Sequence, residues 1–169
     1  MILAVFLTGV LMMSRTTLFG NMLTSNAIKD AARLEGEQAR TEMSLKTPTI
    51  TTADGSCTLT VTGDNTGSTA ITDFPLMDVI VQFAPGANDP QRLNYTTGDS
   101  PPSTGDWAKN LTPFSTSDKF QPGIFNPGET VIIKAKLAAT VVGDTTGTVT
   151  VAAPNGVIDT ASFSLTTPC

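Results

Sequence analysis

Histidine is absent from this sequence of 169 residues, and charged residues make up only 15% of it. Without histidine the chain lacks the commonest general base and the serine triads that depend on one. It also has no glycine-rich phosphate loop with its lysine, and no cysteine pair at metal-ligand spacing. The acidic residues are scattered, which favours solvated carboxylates over a calcium site. We therefore expect no enzymatic activity, no cofactor and no metal site.

Basic residues are scarce as well. The chain contains 10 Lys and Arg against 15 Asp and Glu, and eleven of the acids follow Lys46. Nucleic-acid binding requires clustered lysine and arginine side chains that neutralise phosphates. The composition therefore argues against a nucleic-acid partner.

Charge is missing altogether from the first thirteen residues, and the first basic residue is Arg15. A helix that is apolar on all sides is not a surface helix, so this run must be buried in lipid or in other protein. A membrane-spanning helix needs about 20 largely apolar residues, which the run reaches only if it continues to Leu23. A secretory signal would carry basic residues before its apolar stretch. We therefore expect that a processing cut removed a basic leader and left Met1 as the new N-terminus.

Proline is missing between Ser14 and Lys46, and strong helix formers dominate after Ala27. Pro48 is expected to end the helix, because the residue before a proline is biased away from the α region. The sequence thus predicts a long N-terminal helix over residues 1–47. About 45 residues would make it about 68 Å long.

Residues 48–169 change in character and predict a second domain. Short runs rich in Thr, Val and Ile alternate apolar and polar residues, and Gly, Pro, Asn and Asp separate them. The predicted strands include residues 57–62, 68–72, 76–83, 92–96, 130–137, 147–153 and 157–165. Seven or eight such strands are typical of an immunoglobulin-like β-sandwich. The predicted fold class is therefore α+β, with a long hydrophobic N-terminal helix followed by this sandwich.

Three local patterns refine this second domain. Residues 126–129, with Pro127 and Gly128 at the centre, have the residue types of a type II turn. The Pro- and Ser-rich stretch 97–113, which holds the single tryptophan, is predicted to be an irregular connection. Lys134 and Lys136 share one face of a strand, where lysines commonly protect a sheet edge.

Cysteine occurs only at Cys57 and Cys169. Cys57 begins an early strand and Cys169 follows the last one, so a disulfide would tie the C-terminus to the sheet. Closing a loop of this length would stabilise the fold by about 4 to 5 kcal/mol. Two unrelated thiols are the alternative. The disulfide is favoured because a terminal cysteine has little packing role and the rest of the domain has an extracellular character.

Two triplets match the acceptor pattern for N-glycosylation, one at Asn94 and one at Asn110. Asn110 is the better candidate, because it is expected to lie in the irregular connection.

Three stretches of the second domain resemble archaellins, the filament subunits of the archaeal motility organelle within the type IV pilin superfamily. They are residues 59–71, 74–81 and 125–129, and they follow an apolar helix as in that family. Many pilins carry a glutamate at the fifth mature position, whereas Val5 here fits archaellins. The resemblance implies leader removal by a prepilin-type peptidase, export to the cell surface, and a filament that a membrane assembly motor rotates.

The residues alone indicate the same mechanism. The apolar helix lies in the membrane before assembly and then packs against identical helices in an extracellular filament, so its surface never meets water. Its predicted core-packing residues are Ile2, Leu3, Val5, Phe6, Leu7, Val10, Leu11, Leu18, Phe19 and Met22. Two alternatives share this architecture: an adhesive type IV-like pilus subunit, and a membrane-anchored, stator-like sandwich that stays monomeric. A secreted β-domain enzyme is disfavoured by the missing catalytic groups.

Overall fold

The computed structural model describes residues 22–53, 56–83, 90–98, 103–110, 123–137 and 145–166. These residues are mainly β-sheet and include one short helix near the N-terminus. The chain divides into two compact units, Met1–Glu37 and Gln38–Cys169. The sequence placed the boundary ten residues later, after residue 47.

The helix α1 is described over residues 22–38. Arg33 Nη1 and Glu37 Oε1 lie 3.2 Å apart on adjacent turns, in the pairing expected of residues four apart. The predicted continuation to Pro48 is wrong, because Met43–Leu45 pairs with a strand instead of continuing the helix. Within the described ranges, no helix combines the length and the apolar character that crossing a bilayer requires.

Nine strands follow α1 along the described chain, with a 3₁₀ helix at Phe74–Leu76. They are β1 (Met43–Leu45), β2 (Thr49–Ala53), β3 (Ser56–Asn65), β4 (Asp78–Phe83), β5 (Gln91–Tyr95), β6 (Asp106–Asn110), β7 (Thr130–Leu137), β8 (Thr145–Ala152) and β9 (Ile158–Leu165).

The strands form one sheet in the order β1-β3-β7-β6-β5-β4-β8-β9, and β2 pairs with the other half of β3. All pairings are antiparallel except the two-residue parallel pairing between β5 and β6. The first and last strands of this order meet, because the Leu45 amide of β1 donates to Asp159 Oδ2 of β9 over 2.7 Å. The sheet is therefore rolled into a nearly closed barrel or sandwich.

The interior is filled by the inward-facing residues of the alternating strands. On β7, Val131, Ile133, Ala135 and Leu137 are all buried, whereas the intervening residues are half-buried on the outer face. The largest fully buried side chains are those of Trp107, Phe74, Phe125, Leu59 and Ile133. The period-2 pattern predicted from the sequence thus places the core correctly along β3, β4 and β7.

Three predictions about this domain are wrong. Trp107 lies in β6 and is fully buried, not in an irregular connection. Residues 68–72 form no strand, and only Ile71 makes an isolated bridge, to Phe125. The strand that carries Lys134 and Lys136 is interior, because β3 and β6 flank β7, so these lysines protect no edge.

The turn predicted at residues 126–129 is confirmed. Gly128 has a φ of 80°, which a type II turn requires at its third position and which glycine adopts without strain. The Glu129 amide donates to the Asn126 carbonyl over 3.1 Å. Glu129 Oε2 in return accepts the Asn126 amide over 2.7 Å and holds the turn closed.

Candidate functional site

Large apolar side chains are exposed along α1 to an extent seen almost nowhere else in the described chain. The exposed fractions are 60% for Met22, 69% for Leu23, 63% for Ile28 and 45% for Leu34. Elsewhere among the described residues, only Leu76 and Ile158 are large hydrophobics with comparable exposure. Single exposed apolar side chains are ordinary, but four large ones on one short helix are not.

The exposed side chains of α1 are sorted by face. Leu23, Ala27, Ala31 and Leu34 recur at helical spacing and form an apolar stripe. Ser25, Lys29 and Gly36 occupy the opposite side, and Asp30 and Glu37 flank the stripe. Met22 lies at the N-terminal end of the opposite side, and Ile28 lies between the two sides.

After α1 the chain is tied to the β-domain by a set of polar contacts that we call the collar, formed by residues 38–42 with the loops 65–68 and 153–156. Gln38, the last helical residue, donates through Nε2 to the Asn155 carbonyl over 2.6 Å. Asn155 Nδ2 donates to Thr41 Oγ1 over 2.7 Å. Thr41 is buried, so these bonds satisfy polar groups that have left water.

The second half of the collar consists of backbone contacts. The Ser68 amide donates to the Arg40 carbonyl over 2.8 Å, and the Gly67 amide donates to the Glu42 carbonyl over 3.0 Å. A Cβ built at Gly67 would lie 2.5 Å from the Arg40 carbonyl oxygen and closer still to the Glu42 nitrogen. Only glycine allows these two backbone segments to approach so closely.

Asn65 braces the same loop from inside. Its side chain is buried, and Nδ2 donates to the carbonyls of Phe125 and Thr69 over 3.0 and 2.9 Å. One side chain thereby joins the end of β3 to the segment that precedes β7. Loss of either bond would lower the stability of the fold, because it would leave a buried polar atom unpaired.

Asp64 carries the clearest electrostatic perturbation of the β-domain. Its Oδ1 accepts from Thr130 Oγ1 over 2.6 Å, and its Oδ2 lies 2.9 Å from Lys46 Nζ. The Thr130 hydrogen bond, followed by the Lys46 contact, holds the pKa of Asp64 below its usual range. These groups stabilise the charged carboxylate and join β3, β7 and the chain after β1.

Of the ten predicted core-packing residues, only Met22 lies among the described residues, and it is exposed on α1. Outside the described residues lie Ile2, Leu3, Val5, Phe6, Leu7, Val10, Leu11, Leu18 and Phe19.

Only one of the two cysteines of the predicted disulfide lies among the described residues. Cys57 is fully buried near the start of β3 and faces the core. Cys169 lies outside the described residues, and the pairing stays a prediction.

The two glycosylation candidates both lie at strands. Asn94 is exposed on β5, opposite Asp106. Asn110 is the last residue of β6, paired with Ile132, so it does not lie in the irregular connection that made it the preferred candidate. Within the described ranges, no group of three His, Cys, Asp or Glu is arranged to hold a metal ion.

Sequence reasoning missed the collar. Its central bond joins Gln38 to Asn155, 117 residues apart. The Asn155-Gly156 dipeptide signals a turn, and Gly156 has a φ of 85°, but a turn signal does not name its distant partner.

A scan against protein-family models finds no match, and a search of curated proteins finds none either. Solved structures do share the fold. The archaellum periplasmic stator protein FlaG from Sulfolobus acidocaldarius matches with a TM-score of 0.53 at 22% identity, over 73% of this chain and 99% of that one. The archaeal flagellum of Methanospirillum hungatei strain JF1 matches with a TM-score of 0.59 at 11% identity, over 98% of this chain and 90% of that one. The resemblance to archaellins is thus confirmed as a likeness of fold, since the structural neighbours are archaellum proteins, a filament and a stator protein among them.

Proposed function

We propose that this protein is a structural filament subunit that assembles through its N-terminal helix into an archaellum-like motility filament. The observation that carries the proposal is the apolar stripe of α1, which is exposed to solvent in the single chain. The uncharged run of residues 1–13 would extend the same apolar surface toward the N-terminus. Identical helices packed side by side would bury both.

Burial of this surface would supply the cohesion of the polymer. At about 25 cal/mol per Å², even partial burial of ten such side chains contributes on the order of 15 kcal/mol. Before assembly, lipid would cover the same surface, so the helix would never be exposed to water. A contact between two different surfaces that does not close on itself generates an open helical array.

The finer features belong to the same proposal. The helix would extend from the N-terminal run through α1 to Gln38, ahead of an immunoglobulin-like outer domain. A prepilin-type peptidase would release the subunit from its leader, and a membrane motor would assemble and drive an extracellular homopolymer. A disulfide between Cys57 and Cys169 and a glycan on Asn94 or Asn110 would suit that location.

A stator-like protein is the second candidate, because a periplasmic stator protein shares the fold over 73% of the chain. The filament protein matches over 98% of this chain and 90% of its own. Each solved structure is thus matched over most of its own length, and the two candidates differ in whether the protein forms fibres. A stator-like protein would stay in the membrane fraction as a monomer, and an adhesive pilus subunit would form fibres without motility.

Electron microscopy of material sheared from cells tests the proposal. We expect thin fibres whose main protein is this one, identified by peptide sequencing. Recovery of the protein only from membranes, and never from sheared fibres, would favour the stator-like alternative. Fibres from cells that do not swim, with adhesion lost on deletion, would favour the pilus alternative.

A pair of helix variants tests the apolar stripe. Leu23→Asp places a charge in the stripe and should abolish fibres, because a carboxylate buried among apolar helices lacks a partner. Ser25→Asp adds the same charge on the side of α1 opposite the stripe and should leave fibres intact. Circular dichroism should show the same β-domain in both. Normal fibres from Leu23→Asp would contradict the proposed packing.

A further inference from the structure

Two cations stand out on the outer face of β7. Lys134 and Lys136 are half-buried and alternate with the buried residues of that strand. Their cross-strand neighbours on β3 are Thr60 and Thr58. Among the described residues, no carboxylate forms an ion pair with either lysine. We call this pair the lysine face.

A patch of opposite character lies at one end of β4, β8 and β9. Leu76 and Ile158 are each 64% exposed, and they are the two large hydrophobics of the described β-domain with that exposure. Ile158 is in register with Ala152, which is in register with Asp78, two residues after Leu76. Leu76 ends the 3₁₀ helix Phe74–Leu76, and Asp73 immediately precedes that helix. We call Asp73, Leu76 and Ile158 the acidic patch.

Asp73 supplies the unpaired charge of this patch. Its side chain is exposed and makes no capping hydrogen bond to the 3₁₀ helix that it precedes. The neighbouring Asp78 differs, because Arg92 binds its carboxylate. An exposed carboxylate and two exposed apolar side chains at the same end of neighbouring strands have the composition of a protein contact, with an apolar centre and a polar rim.

The strand order places the two surfaces on opposite walls of the barrel. Three strands separate β7 from β8 in either direction, namely β6, β5 and β4 on one side and β3, β1 and β9 on the other. In the acidic patch, Asp73 and Leu76 precede β4, and Ile158 begins β9. The strands β4 and β9 are the two neighbours of β8. One copy therefore presents a cationic wall and an acidic, apolar wall on opposite sides.

We propose that the lysine face of one copy docks onto the acidic patch of the next copy, as a lateral contact between outer domains. The inference rests on the proposed filament and adds a second contact outside the helical core. Such a contact joins two different surfaces, as an open array requires. The opposite charges would set the register of the outer domains, and Leu76 and Ile158 would be covered by the neighbouring copy.

Charge reversal on the full-length protein tests this contact. Lys134→Glu/Lys136→Glu should raise the concentration of unassembled subunit about tenfold or more, because the two new carboxylates would then face the Asp73 carboxylate. Asp73→Lys should weaken assembly in the same way. Lys134→Arg/Lys136→Arg keeps the charges and should assemble normally. Asp73→Glu keeps the charge of the patch and should also assemble normally.

The decisive experiment mixes the Lys134→Glu/Lys136→Glu variant with the Asp73→Lys variant. Each variant retains the surface that the other has reversed, so every contact between unlike copies is again between opposite charges. We expect the mixture to leave less unassembled subunit than either variant alone, which also shows that both are folded. Unaffected fibres from the lysine variant, or a mixture no better than its components, would overturn the lateral contact. If the unaltered protein forms no fibres at all, the proposed function itself fails.

Discussion

Single residues of the β-domain are constrained most tightly where two backbones approach without a side chain between them. Gly67 is such a position, because its missing Cβ leaves room for the backbone of residues 40–42. Gly36 in α1 is the opposite case, since a Cβ there would meet nothing within 4 Å. The same substitution should therefore have opposite effects at the two positions.

Gly67→Ala should destabilise the β-domain by about 3 kcal/mol, because the added methyl overlaps backbone atoms that cannot rotate away. Gly36→Ala should leave the β-domain unchanged and strengthen the helix by up to about 1 kcal/mol. Thermal unfolding followed by circular dichroism measures both. Equal unfolding temperatures for the two variants would show that the collar is looser than described.

Asp64 makes stability depend on pH in a predictable direction. Its pKa is held below the ordinary value of 3.8 by the Thr130 hydroxyl and by Lys46. The stabilisation is therefore fully present above that value and is lost as the pH falls through the lower, folded value. Thr130→Val should lower the unfolding temperature at neutral pH and make less difference in strong acid. Thr130→Ser keeps the hydroxyl and serves as the control, and a deficit in Thr130→Val that stays the same in strong acid would contradict the linkage.

At the scale of elements, the weakest described junction of the barrel is the one between β1 and β9. Asp159 closes it, since Oδ2 accepts the Leu45 amide and Oδ1 accepts the Thr160 amide over 2.8 Å. The Asp159 carboxylate thus accepts a hydrogen bond that a backbone carbonyl would accept if β1 and β9 were paired. It also discourages other chains from pairing with the edge of β9.

Asp159→Ala should open this junction, because the Leu45 amide would lose its acceptor at a cost of about 1 to 3 kcal/mol. Amide hydrogen exchange at Leu45 should accelerate, while exchange in the centre of β7 stays slow. Asp159→Asn retains a carbonyl oxygen at the site and should show a smaller change. Unchanged exchange at Leu45 in the alanine variant would mean that water or another group already serves as acceptor.

The strands that could be predicted from sequence are those whose own residues alternate between apolar and polar. The bounds of β7 were predicted at Thr130 and Leu137, because eight residues alternate between core and surface without interruption. The β6 strand was missed because Asp106 and Asn110 are poor strand formers within a Pro- and Ser-rich stretch. Its burial is driven by Trp107, which packs against Tyr95 with ring centroids 4.8 Å apart. Such tertiary packing leaves no local pattern.

The candidate surfaces show the same division. The apolar character of the N-terminal segment was readable directly, since it depends on composition alone. The lysine face was recognised from its spacing but misread as an edge, because only the strand order reveals that β7 is interior. The pairing of Gln38 with Asn155 was unreadable, since it depends on how distant loops come together.

For the whole molecule, the proposed disulfide would connect the start of β3 to the end of the chain. Under non-reducing conditions we expect an intact mass lower by two hydrogens than that of the reduced protein. Reduction, or Cys169→Ser, should lower the stability of the β-domain by up to about 4 to 5 kcal/mol. Denaturant unfolding with and without reductant measures this difference. Identical masses and identical midpoints would favour two unpaired thiols.

The strand order also governs when this protein acquires its shape. β3 pairs with β7, whose first residue follows the last residue of β3 by more than sixty positions. β4 likewise pairs with β8, which comes much later in the chain. Contacts so distant in sequence form slowly. During synthesis, therefore, most of the polypeptide must have left the ribosome before the barrel can close. Incomplete translation products that lack β7 or β8 would leave β3 or β4 without its partner strand.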